Sequence, residues 1–374
     1  MSGTPGTKPP GAGTSLFEHA LRLHGATPDA ALPRNGEPYP DDAYRRGRPA
    51  AEHPCHRDRI GAEVAAVLDE HFADPGTDPG VLFGRFQDIH VPIHPNPRMA
   101  GAAARGGDRA REAGRRLVVH GTDRDDVAVG LALLAEVCTE DDIPLLRTIG
   151  LLSCSFGALA AHALERLPGG AGPLLWLADR VAGWGRVYVV ESLCRLADAH
   201  PDVRPWLLRT AVDGDFLNGC FAGTVAETVD LRRALAGTAA DPGIVDHAGE
   251  LLHVLTGCQG MGITLADLPH AEDVLAAYLG HLGRLGPSPR RYRAVAHLAL
   301  GLGEGGDVGS IGPARRWWTF RDGCRALLDR EEWCATAREA LAAGDEDMAR
   351  LAERSAGDLC SRAFGDARPS PRHG

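Results

Sequence analysis

The chain reads as an all-α protein: an α-solenoid of stacked antiparallel helix pairs behind an irregular N-terminal arm. Three observations predict this. Apolar residues recur at helical spacing over most of the length. Material for strands is scarce, since aromatic residues make up only 5% of the chain, isoleucine is rare and no stretch alternates apolar and polar residues for long. Finally, three segments repeat one helix–turn–helix texture at a fixed interval.

In chain order, residues 1–15 are Gly, Pro, Ser and Thr, a composition that stays disordered. A short helix fits 15–24. Residues 25–56 carry Pro28, Pro33, Pro38, Pro40, Pro49 and Pro54, so 1–56 is expected as a disordered or irregular arm. Helical spacing begins with Ile60, Val64, Val67 and Leu68 and stops at Asp74-Pro75. Pro92, Pro95 and Pro97 then break 81–98, making 57–98 a short helix plus a proline-rich loop with at most a token strand.

From 99 to 312 the chain reads as helix after helix, joined by Gly, Pro and Asp turns. In 244–255 an apolar stripe runs through 244, 245, 248, 251, 252 and 255; in 274–285 one runs through 274, 275, 278, 279, 282 and 285. Both are amphipathic stripes. Leu251, Leu252, Leu255, Leu275, Leu279 and Leu282 are therefore expected in the core. Residues 216–235 read as one longer helical piece. The more charged stretch 313–363 is expected as a helical cap, and 364–374 as a disordered tail.

The internal similarity lies in LLAEVCTEDDIPLLR (133–147), ALERLPGGAGPLLWL (163–177) and LCRLADAHPDVRPWLLR (193–209). Each ends one apolar helix, turns through Asp, Gly or Pro, and opens a second helix near Pro144, Pro173 or Pro205, where a missing N–H costs least. The segments start 30 residues apart. One such unit cannot bury both helix faces, and stacked neighbours supply the missing surface. With WGRVYVVESLCRLADAHPDVRPWLLR (184–209) and DLRRAL (230–235), the pattern resembles HEAT or armadillo-type helical repeats, in particular actinobacterial HEAT-like proteins of no assigned activity. The resemblance covers roughly 100–300 and implies a fold class rather than a function.

Composition excludes several function classes. The formal charge is −10, which argues against a general nucleic-acid binder. Lys8 is the sole lysine, beside 39 arginines. Schiff-base chemistry, pyridoxal phosphate and a Walker phosphate loop all need a lysine placed elsewhere. That imbalance, with abundant Ala and Gly, is the usage of a GC-rich bacterium. The nine cysteines form no C-x-x-C and read as buried thiols in a reducing compartment. Without an apolar h-region at the start or an apolar run of membrane length, the expectation is a cytoplasmic protein with no membrane partner.

Few clusters carry chemistry. Asp88-Ile-His90-Val-Pro-Ile-His94 is the most metal-like, since imidazoles and a carboxylate suit zinc or iron. The competing reading is a proline-pinned loop without a third strong ligand. His53-Pro54-Cys55-His56 is a second dense group, read as a solvated turn. Gly301-Leu-Gly303-Glu-Gly305-Gly306 matches G-x-G-x-x-G in form, but it follows a helical run and reads as a loop.

Arg98, Arg105, Arg109 and Arg116 follow i, i+7, i+11, i+18 and would line one helix face. That face is a candidate for binding an acidic partner, or for pairing with Asp123, Asp125 and Asp126 just after it. Trp184 with Arg186, and Trp206 with Arg209, suit either an interface or inter-helix packing, and packing is preferred. No catalytic residue is assigned and no cofactor is implied. The expected function is a non-enzymatic scaffold that binds a protein or peptide through its curved surface. The alternative is a metal-dependent enzyme using a cleft formed by 57–98.

Overall fold

The computed structural model of the chain describes residues 13–47, 59–237, 241–304, 315–355 and 361–365. Among them are twenty α-helices and no strand, so the protein is all-α. The chain divides into two compact units, residues 1–203 and 204–374. No helix among the described residues is long and apolar enough to cross a membrane.

The first unit opens with α1 (Leu16–Ala26). Ser15 caps it: its hydroxyl accepts from the Glu18 amide, and the Glu18 carboxylate accepts from the Ser15 amide. The proline-rich stretch that follows is held down. Leu32, Tyr39 and Asp41 are buried. Arg180 donates to the Pro28 carbonyl at 2.8 Å and to Asp29 at 3.1 Å. After α2 (Asp42–Arg45) come α3 (Ala62–Ala73) and α4 (Pro97–Gly106), which Asn96 caps by accepting from the Arg98 and Met99 amides. α4 ends at Gly107, whose φ of +53° suits glycine, and α5 (Asp108–His120) begins.

α6 (Arg124–Val137) packs on α5 with the backbones nearly touching. A Cβ on Gly114 would lie 2.9 Å from the Gly130 carbonyl, so both positions require glycine. α7 (Ile143–Gly150), α8 (Ser153–Glu165), α9 (Ala171–Ala178) and α10 (Trp184–Leu196) complete the unit. Its helices contact in alternation. α4, α6, α8 and α10 touch in series, as do α5, α7 and α9, while α5/α6, α7/α8 and α9/α10 join the two series. Carboxylates clamp successive turns: Glu136 to Arg166 at 3.2 Å and Glu165 to Arg195 at 2.7 Å, both 30 residues apart.

The second unit opens with α11 (Val203–Thr210). The expected single helix over 216–235 is instead a 3-10 turn at Phe216–Cys220, α12 (Ala222–Thr228) and α13 (Leu231–Gly237). The reason is local. Asn218 is held by Asp213 in a side-chain turn, and Asp230 adopts φ +48° between the two helices. Then follow α14 (Pro242–Gly257), α15 (Ala271–Leu285), α16 (Pro289–Glu304), α17 (Arg315–Leu328), α18 (Glu331–Ala342), α19 (Glu346–Ser355) and α20 (Ser361–Phe364). α12, α14, α16 and α18 touch in series, and α13, α15 and α17 do likewise.

The amphipathic stripes face the core as their spacing requires. Leu251, Leu252, Leu255, Leu275 and Leu282 are buried, and Leu279 is half-buried. Pro144 is the second residue of α7; Pro173 and Pro205 are the third residues of α9 and α11, where the amide has no intrahelical acceptor. Gly301 and Gly303 lie inside α16 rather than in a loop, while Gly305 and Gly306 lie outside the described residues.

Candidate functional site

The arginine face foreseen at Arg98, Arg105, Arg109 and Arg116 does not form on one helix. Gly107 divides it between α4 and α5. Three of the four grip the chain itself. Arg105 holds Asp69 at 2.8 Å in a forked pair, and Arg109 donates to the Phe72 and Asp74 carbonyls at 2.8 and 2.7 Å. Arg116 faces Asp78 at 3.4 Å. Arg98 is exposed at the start of α4. These arginines fasten the end of α3 and the turn after it.

The nearby acids also have partners, though not these arginines. Asp123 and Asp125 receive Arg45 at 3.0 and 2.9 Å, and Asp126 accepts from the Gly84 amide. Asp142 is fully buried under Arg111 and Arg115. Burial alone would raise its pKa, but the bonds from Arg111, the Thr139 amide and Arg115 outweigh it and hold the carboxyl below its usual range.

Asp88, His90 and His94 lie in an irregular loop. His94 Nε2 meets the Tyr188 hydroxyl at 3.2 Å, and its ring packs edge-on to that of Tyr188. Among the described residues no three His, Cys, Asp or Glu side chains converge to hold a metal. His53, Cys55 and His56 lie outside the described residues. Trp184 departs from the packing expectation: it is 48% exposed and stacks on Tyr188. Arg186 is buried and donates to the Ala178 carbonyl, and Trp206 is half-buried.

A cleft of about 640 Å³ lies in the second unit. α14, α16 and α19 wall it, and each presents one face at i, i+3, i+7 or part of it. α14 contributes Glu250 and His253; α16 contributes Arg290, Arg293 and His297; α19 contributes Asp347, Arg350 and Arg354. Asp213 and Gly214 close one end. The two imidazoles stack, with centroids 4.5 Å apart and planes inclined by 18°.

The charges are unevenly matched. Arg290 forks onto Glu250 at 2.7 and 2.8 Å, and Arg293 holds Asp345 at 2.6 Å. Among the described residues Arg350 reaches only Glu346 and Asp347, exposed acids of its own helix, at 3.3 Å each. Arg354 has no carboxylate partner among the described residues. Desolvation, the His297 ring and Arg354 together push His253 down to about 4, although solvent reaches the ring from the mouth. His297 is lowered by desolvation, then by Arg354 and Arg293. Both rings are thus neutral at pH 7.

Sequence reasoning missed this cleft. The signal was three polar faces at helical spacing, in 250–253, 290–297 and 347–354, each lying off an apolar stripe. Nothing in one sequence joins segments that far apart. Comparison of the chain with protein-family models, curated proteins and solved structures returns no match.

Proposed function

We propose that the chain is a non-enzymatic helical-repeat scaffold whose second-unit cleft docks an anionic group of a protein or peptide partner. The alternating helix contacts within each unit support an α-solenoid of antiparallel, HEAT-like pairs, the architecture used for extended binding surfaces. The seven described free cysteines suit a reducing cytoplasm. The observation that carries the reading is Arg354: among the described residues it has no carboxylate partner, in a cleft whose other arginines are paired. A guanidinium so placed holds a carboxylate or phosphate through its planar fork.

The test is fluorescence anisotropy with a labelled glutamate-rich dodecapeptide and the full chain at low salt. Saturable binding that weakens with salt is expected. The Arg350→Glu/Arg354→Glu double variant should lose it while keeping its helical circular dichroism. No binding, or binding untouched by the double variant, would overturn the reading.

A further inference from the structure

Two sets of this chain's histidines contrast. His19, His247 and His281 are buried; His19 and His281 place Nε2 against the Gly36 and Leu235 carbonyls at 2.8 and 2.7 Å, and His247 Nε2 accepts from the Ala211 amide at 3.1 Å. They satisfy the fold. His253 and His297 do not: among the described residues no hydrogen bond reaches either ring. Both rings line the cleft, beside Arg354, which has no carboxylate partner among the described residues, and the loosely tied Arg350.

We propose that His253, His297, Arg350 and Arg354 form a binding site for a phosphomonoester dianion carried on a peptide, as on a phosphorylated serine. The peptide part rests on the scaffold reading above; the phosphomonoester is read from the cleft. A carboxylate offers two oxygens and one charge, which a single guanidinium fork satisfies. A phosphoryl group offers three acceptor oxygens and a charge of about −1.5 to −2. That matches two guanidinium groups plus imidazole N–H donors. Asp213, Glu250 and Asp347 also line the cleft, so its unmatched positive charge is small in extent and suits one compact dianion better than a single carboxylate. The cleft volume of about 640 Å³ also leaves room for the residues bearing the group.

The rings make binding proton-linked. They face Glu250 from α14, Arg290 and Arg293 from α16, Asp347, Arg350 and Arg354 from α19, and Asp213 from the preceding loop. A dianion offsets the arginines' repulsion and favours the charged imidazoles. Proton uptake should accompany binding, and affinity should rise as the pH falls from about 8 to about 6.5, above the second phosphoryl pKa of about 6.

The experiment uses the full chain and three labelled hexapeptides, alike except for a central phosphoserine, glutamate or serine. Binding is read by anisotropy at pH 8 and 6.5, with inorganic phosphate as competitor. The expected result is at least about tenfold tighter binding of the phosphopeptide than of the glutamate peptide, tightening at the lower pH. Inorganic phosphate should displace it. Arg354→Gln should weaken it by about tenfold or more, Arg354→Lys should restore part of the loss, and His253→Gln/His297→Gln should flatten the pH dependence. Equal affinity for phosphoserine and glutamate overturns the inference and leaves the scaffold reading standing. Binding of inorganic phosphate without the phosphopeptide overturns the peptide assignment. Failure of all three peptides and of the dodecapeptide overturns both.

Discussion

Arginines of the same chemistry are paired differently in the two units. In the first, Arg45, Arg105, Arg111, Arg115, Arg116 and Arg124 each meet a carboxylate from another segment. They act as fasteners between helices, turns and the N-terminal arm. In the second, the fasteners Arg290, Arg291 and Arg293 stand next to Arg350 and Arg354, for which no other segment supplies an acid among the described residues. A regular arginine register therefore says little about docking. What distinguishes a docking arginine is whether the chain brings it a carboxylate, and that depends on tertiary contacts.

The largest expected effect falls on α14, which walls the cleft. Leu252→Ala removes a fully buried side chain from α14 and should cost roughly 2–5 kcal/mol in chemical denaturation. A loss below about 0.5 kcal/mol would mean that the α14 stripe does not hold the wall. Next comes the first unit's central fastener. Asp142→Ala leaves Arg111, Arg115 and the Thr139 amide without their shared acceptor, and should cost about 2–3 kcal/mol by the same measurement. A neutral result would show that those arginines need no acid.

Acid titration sharpens the contrast. His253 has a folded pKa below its unfolded value of about 6.5, so the unfolded chain binds its proton first. Its contribution is present above about pH 6.5 and is lost as the pH falls toward about 4. Asp142 is also lowered, so its contribution persists at mildly acidic pH and goes only below the usual carboxylate range. Melting curves from pH 7 to 4.5 should show a loss of stability that Arg354→Gln reduces, because removing that charge lifts both histidines toward their ordinary values. No change with the variant would separate Arg354 from the rings. The smallest effect belongs to Arg105→Ala, which breaks one exposed pair and should cost no more than about 1 kcal/mol.

The helical content and much of the core were legible because amphipathic stripes are local. Residues 244–255 carry their own pattern: six of its seven apolar positions are buried, and Val254 is half-buried. Proline placement at the starts of α7, α9 and α11 was legible for the same reason. The break at Gly107 was visible as Gly106-Gly107, but helical spacing of the arginines hid it. The division of 216–235 depended on Asp213 reaching Asn218 and on the left-handed Asp230, neither of which periodicity encodes. The cleft was illegible as a unit, since His253 and His297 meet only once α14 and α16 are packed.

The central claim is that docking lies with Arg350 and Arg354 and not with the arginine pattern most conspicuous in the sequence. It is tested by titrating the labelled acidic dodecapeptide against two charge-reversal variants side by side, Arg105→Glu/Arg116→Glu and Arg350→Glu/Arg354→Glu. The first variant should bind as the unaltered chain does, with at most a modest drop in melting temperature, and the second should melt normally but not bind. Loss of binding in the first variant with retention in the second would contradict it.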